Sequence, residues 1–152
     1  MHAAVSSVSQ MAAEAGDGVC IVDTDATVEQ FLRIAAIRAD QILVVVEAFF
    51  TSLECGRRMT RLGKLQGYEN IALVANKVRS DAERESVYDF AAEHDLDVAG
   101  IVPFDDRLPA SEWAQSAPLD FDENAPAIAA IDEFSARLVG AARNGNGRGV
   151  GG

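Results

Sequence analysis

The chain has 152 residues, 49% of them apolar, which is one domain's worth of chain with material for a sizeable core. Its formal net charge of −11 argues against nucleic acid and anionic membrane as partners, because phosphates would be repelled. It leaves room for a nucleotide, which backbone amides and one or two cations can hold. No apolar run reaches membrane-spanning length and no signal segment opens the chain, so the expectation is a soluble, cytoplasmic protein.

In chain order, Val5, Val8, Met11, Ala12 and Ala15 form one face of a short helix that ends at Gly16-Asp-Gly18. A helix this close to the start, with no cap and no strand before it, reads as an interior helix whose upstream part is missing. Val19-Cys-Ile-Val-Asp23 is a continuous apolar run ending on a carboxylate, the pattern of a strand buried on both faces. Thr27 with Gln30 reads as a capping box, opening a helix with Val28, Phe31, Leu32 and Ala35 on one side. The next strand is Ile42-Leu-Val-Val-Val-Glu47. Thr51 with Glu54 reads as a second capping box, Leu53, Met59, Leu62 and Leu65 stripe the helix behind it, and Gly67 stands where a C-cap glycine belongs.

Ile71-Ala-Leu-Val-Ala-Asn-Lys-Val-Arg79 is the run around which the others are arranged, with its polar residues gathered at the carboxyl end. Ser80 with Glu83 caps a third helix that turns Val87, Phe90 and Ala91 inward. The fourth strand, Val98-Ala-Gly-Ile-Val-Pro103, breaks into a loop over 104–109. A short helix around 112–115 follows, then a last helix opened by Asn124 and Pro126, with Ile128, Ile131, Ser135 and Leu138 at helical spacing.

This alternation predicts an α/β fold, a parallel sheet with helices on both faces and right-handed crossovers. Val22, Val44, Val45, Leu73, Val74 and Ile101 are expected in its core, and Asp23, Glu47, Asn76 and Pro103 along one edge. Residues 1–142 form one domain and 143–152 a disordered Gly-rich tail. The tail glycines follow a helix and lead nowhere, so they are not a phosphate-cradling loop, which must leave a strand and open a helix.

Open parallel sheets bind ligands at the carboxyl ends of their strands, which is where the candidate residues lie. Asp23, with Asp25, can hold Mg²⁺ through water or orient an attacking water, or can simply cap the next helix. The Asn76 amide offers a donor and an acceptor together, matching the N6/N7 edge of adenine, though Asn also ends strands for ordinary turn reasons. Lys77 can neutralise phosphate, pack its stem over a base, or stay solvated. Glu47 reads as a loop carboxylate. Cys20 reads as a buried small hydrophobe, Cys55 as an ordinary helix residue, and His2 and His94 as structural or solvent-facing.

Taken together, these stretches resemble the SIMIBI-class P-loop ATPases of the MinD/ParA type, and among them the carbon monoxide dehydrogenase maturation (CooC-type) ATPases. The matching pieces are Val22-Asp23-Thr24-Asp25-Ala26, Leu43-Val-Val-Val-Glu47, Leu73-Val-Ala-Asn-Lys-Val-Arg79 and Gly100-Ile-Val-Pro103-Phe-Asp105, over roughly residues 19 to 138. The resemblance implies ATP and Mg²⁺ as cofactors. Asp23 would be the catalytic carboxylate in the metal's second shell, sensing the γ-phosphate. Asn76 and Lys77 would contact the nucleotide, and Pro103 and Phe104 would line the base pocket.

Thr27 stands where such proteins usually place Gly, which implies a stiffer switch. No Gly-Lys-Ser/Thr triplet and no Cys-X-Cys pair occurs in the chain. The expectation is therefore an incomplete P-loop NTPase fold, the C-terminal portion of such an ATPase, not catalytically competent alone. Its implied partners are an adenine nucleotide, a second copy of itself or a full-length ATPase, and a client metalloenzyme. Two other readings stand beside it. One is a receiver-like signalling domain with Glu47 in the place of the phospho-accepting Asp. The other is a non-enzymatic partner that docks through a bare sheet edge.

Overall fold

A computed structural model of the chain describes residues 19–24 and 39–146, with side chains to residue 140. The aliphatic runs form three strands, β1 (Ile42–Glu47), β2 (Ile71–Val78) and β3 (Asp97–Pro103), in one parallel sheet of order β1-β2-β3. Between and after them come α1 (Phe50–Leu65), α2 (Asp81–Glu93), α3 (Arg107–Trp113), α4 (Pro118–Phe121) and α5 (Pro126–Asn146).

The central strand decides the packing. Ile71 through Ala75 are all buried, so β2 must be covered on both faces. On one face Val46, Leu73 and Ala75 pack with Leu53 of α1 and Val87 of α2. On the other, Val74 and Val102 pack with Ala127 and Phe134 of α5. Each of the Val, Leu and Phe side chains contributes about 1.5–3 kcal/mol when fully buried. The helices sit close where the sequence removes side chains. A Cβ on Gly56 would lie 2.6 Å from Val46 Cγ1, and one on Gly100 would lie 2.5 Å from the Phe134 ring.

Local signals set the helix ends. At the end of α1 the Gly67 N–H donates to Lys64 O and the Tyr68 N–H to Gly63 O, with Gly67 at φ 89°, a Schellman arrangement that satisfies two late carbonyls. Ser80 Oγ accepts from the Glu83 N–H at 3.2 Å, as expected, while the Glu83 carboxylate accepts from the Arg79 N–H at 2.7 Å. The expected box of Thr51 and Glu54 does not form. Helix α1 starts two residues earlier, at Phe50, and its cap residue Phe49 offers no side-chain acceptor. Glu54 is instead clamped by Arg57 and Arg58, whose hydrogen bonds hold its carboxyl down at about 2. Asn124 does not cap α5 either. Asp105, from the loop after β3, reaches across to accept the Ala127 N–H at 3.2 Å.

Other expectations are corrected by the sheet's width. Residues 19–24 form no strand, and Ile21 is 88% exposed and Val22 41%. Val45 is 63% exposed, because β1 pairs only with β2 among the described residues and α5 packs on β3 at the other side of the sheet. Val44 and Ile101 are half-buried, whereas Leu73 and Val74 are buried as expected. Cys20 is exposed rather than buried, and both cysteines are free. His94 packs edge-on against Phe90 at 4.4 Å. The helix before Gly16, the helix after Thr27 and the final residues 147–152 lie outside the described residues, as do Asp25 and Thr27. The last helix runs to Asn146, past the expected start of the tail at 143. Among the described residues no helix is long and apolar enough to cross a membrane.

The glycine contacts predict an asymmetry. Gly100→Ala forces Phe134 to move and should destabilise the fold by about 1–3 kcal/mol in urea denaturation. Gly140→Ala, in an exposed helix with open space around the position, should stabilise it by about 0.5–1 kcal/mol.

Candidate functional site

The strand pairing aligns the residues that end the strands. Glu47 and Asn76 are direct partners across β1 and β2, and Val78 and Pro103 across β2 and β3. Glu47, Asn76 and Pro103 therefore share one edge. Between Ala75 and Val78 the register with β3 slips by one residue, which is a bulge in β2. Lys77 is the residue in left-handed conformation there, at φ 58°. For a residue with a Cβ this costs about 1–2 kcal/mol. Asn76 offsets part of it, because its Oδ1 accepts the Lys77 N–H at 2.9 Å. The Lys77 ammonium then reaches back to Glu47 at 3.1 Å, spanning the ends of β1 and β2.

Arg79 lies beyond the bulge. Its guanidinium carbon sits 3.7 Å from the centroid of the Phe104 ring, a cation–π contact worth about 0.5–1 kcal/mol at an exposed site. The Phe104 backbone is tied to the same strand, its N–H donating to Val78 O at 2.8 Å. Asp105 completes the loop, accepting from the Arg107 N–H at 3.0 Å and from the Ala127 N–H. The floor of this edge is thus fixed by backbone and side-chain hydrogen bonds. Asn76 keeps its Nδ2 donor and a second lone pair on Oδ1 for a ligand, and one face of Phe104 is already occupied by Arg79.

Asn76, Lys77, Pro103 and Phe104 are brought together here. Asp23 is not joined to them: it is exposed, and no hydrogen bond or ion pair links it to the described residues of the sheet. Among the described residues no three His, Cys, Asp or Glu side chains gather as a metal site. Glu47, the acceptor in the receiver-like reading, ends an edge strand of the described sheet and is held by Lys77, while the middle strand runs past Asn76 to Val78. Sequence reasoning missed the Arg79–Phe104 stack, the Glu47–Lys77 pair and the reach of Asp105. Strand order and register together would have placed Arg79 beside Phe104, but register is not readable from one strand alone.

Lys77→Gly should be more stable than Lys77→Ala by about 1 kcal/mol, because only the Ala variant keeps a Cβ at positive φ. Asn76→Ala should cost about 0.5–1.5 kcal/mol through the lost acceptor. Both are read by chemical denaturation.

Comparison with known proteins follows the same outline. The chain is 34% identical over 110 residues to an uncharacterized ATP-binding protein of Methanocaldococcus jannaschii, covering 72% of this chain and 42% of that protein. It is 29% identical over 94 residues to the carbon monoxide dehydrogenase accessory protein CooC of Rhodospirillum rubrum, covering 62% and 35%. In structure it is similar to the MinD cell division protein of Aquifex aeolicus, with a TM-score of 0.60 at 24% identity over 72% of this chain and 47% of that one. The chain thus spans less than half the length of each of these proteins. No family model matches it. Over part of their length the chain is thus similar in sequence to an ATP-binding protein and to CooC, and it shares a parallel α/β fold with MinD.

Proposed function

We propose that the carboxyl edge of the sheet is the base-binding half of an adenine nucleotide site. The observation that carries this reading is the in-register convergence of Asn76 and Lys77 with Pro103 and Phe104 on one edge of the sheet. In this reading the Asn76 Nδ2 donates to N7 of the purine and its Oδ1 accepts from the exocyclic amine. Pro103 and Phe104 line the pocket, with the Arg79 guanidinium backing one face of the ring. Lys77 contributes positive charge, tempered by Glu47.

ATP and Mg²⁺ belong to this proposal differently. The base fits the residues present. The metal does not fit them: Asp23 is exposed, and no donor set of three gathers among the described residues. No step is therefore assigned to Mg²⁺ on this chain, and Asp23 keeps its proposed role as γ-phosphate sensor only within a longer fold. Backbone amides and a lysine around the β- and γ-phosphates supply most of the stabilisation in phosphoryl transfer. With no Gly-Lys-Ser/Thr triplet in its sequence, the chain acts as a cytoplasmic binding module that does not turn over ATP alone. A client metalloenzyme is the partner this reading takes from the similarity to CooC.

The energetics set the test. A bidentate amide contact is worth about 1–3 kcal/mol and stacking about 1–3 kcal/mol more, together about millimolar affinity. The net charge of −11 disfavours a triphosphate. In a calorimetric titration adenosine should bind as well as ATP or better, Asn76→Ala should abolish binding, and ATP hydrolysis should match a buffer blank. Tight Mg²⁺-dependent ATP binding would overturn the half-site reading, and no adenosine binding at millimolar concentration would overturn the base site.

A further inference from the structure

Thr60 of α1 carries a buried hydroxyl that the described residues do not satisfy. Hydroxyls inside helices commonly donate back to a carbonyl one turn earlier. Ser86, Ser111 and Ser135 do so, to Ala82 O at 2.8 Å, Leu108 O at 2.8 Å and Asp132 O at 3.0 Å. Thr60 does not. It is 2% exposed, and its Oγ1 has no hydrogen-bond partner. Buried polar atoms are nearly always paired in folded proteins, so this one calls for a partner from outside the chain.

Thr60 forms the inner wall of a groove of about 340 Å³ between α1 and the turn from α2 into β3. Sites for small molecules run from about 300 to 1,000 Å³. Three cations of α1, Arg57, Arg61 and Lys64, stand along the same groove at helical spacing. Arg57 is already engaged, with Nε and Nη2 both donating to Glu54 at 2.7 Å. Lys64 Nζ makes only a long contact, 3.5 Å to Asp95 O. Arg61 makes no hydrogen bond or ion pair with the described residues. A hydroxyl, a free guanidinium fork and an ammonium thus share one wall, in a chain whose net charge is −11. That donor set matches a carboxylate.

Two leucines and an acid narrow the ligand further. Leu65 is 75% exposed and Leu96 half-buried, and both line the groove. An apolar body laid on them would remove that surface from water. Asp95, on the same groove, would repel a second anionic group. We propose that the groove binds a small amphipathic monocarboxylate. Its carboxylate accepts from Thr60 Oγ1 and the Arg61 guanidinium with the Lys64 ammonium beside it, and its aliphatic chain lies on Leu65 and Leu96. Lys64 and Leu65 come just before β2, and Asp95 and Leu96 just before or at the start of β3. The groove therefore lies at the amino ends of the parallel strands, away from the carboxyl edge proposed for the purine, and the two readings stand or fall separately.

The test is a titration of hexanoate into the full 152-residue chain, followed by backbone amide shifts, with hexylamine and inorganic phosphate as comparators. Hexanoate should give saturable shifts at Thr60, Arg61, Lys64 and Leu96. Hexylamine has the same chain with the opposite charge, and phosphate has the charge without the chain, so both should leave these amides unmoved. Thr60→Val keeps the side-chain shape without the hydroxyl, and Arg61→Gln removes an exposed charge. Each should raise the hexanoate Kd about tenfold with an unchanged circular dichroism spectrum. No saturable hexanoate shift at millimolar concentration overturns the proposal. So does a Thr60→Val variant that binds hexanoate as the wild type does, which would mean that water alone satisfies the hydroxyl. Phosphate moving the same amides as strongly would leave only an adventitious cluster of charge, and hexylamine doing so only an apolar patch. Either result overturns it.

Discussion

The packing of β2 is the constraint on which the rest depends. Five consecutive buried residues, from Ile71 to Ala75, cannot form a strand that faces water on either side. They oblige α1 and α2 to cover one face and α5 the other, and they oblige β1 and β3 to satisfy both edges of the strand. Leu73 and Val87 meet at the centre of the first face with no exposed surface at all. The glycines at 56 and 100 follow from the same demand, since any larger residue would hold a helix or ring away from the sheet.

The candidate site grows from the point where that burial stops. At Asn76 the strand leaves the covered region, and at Lys77 it bulges. Strained backbone persists where surrounding contacts over-determine it. Here the contacts are the Asn76 amide on the Lys77 N–H, the ammonium on Glu47, and the anchoring of Phe104 to Val78. The bulge therefore displays a side-chain amide, a cation and an aromatic loop on a floor that needs no ligand to hold its shape. A surface shaped before binding loses less ordering entropy when a small planar molecule arrives.

Legibility in the sequence followed the range of the interaction. The capped helix after Ser80, the glycine stop at Gly67 and the strands around Leu73 and Val102 were all readable, because each depends on neighbours within a few residues. The failures were long-range. Val19 to Asp23 has the composition of a buried strand, yet nothing in it specifies a partner, and it stands exposed. Val45 has the same composition as Val74, but one lies on an edge strand and the other under α5. Thr51 and Glu54 had the spacing of a cap, and two arginines on the same helix captured the glutamate instead. Of the site, the residues at the strand ends were visible as types, whereas the Arg79–Phe104 stack required two distant strands to be set in register first.

The claim at the centre of this account is that the carboxyl edge of the sheet holds a purine base. The most direct measurement is the set of backbone amide shifts on adenosine titration by nuclear magnetic resonance. The account predicts saturable shifts at Asn76 to Arg79 and at Phe104 and Asp105, with α1 and α2 unmoved. Shifts confined to the groove between α1 and α2, around Arg57 and His94, would contradict it.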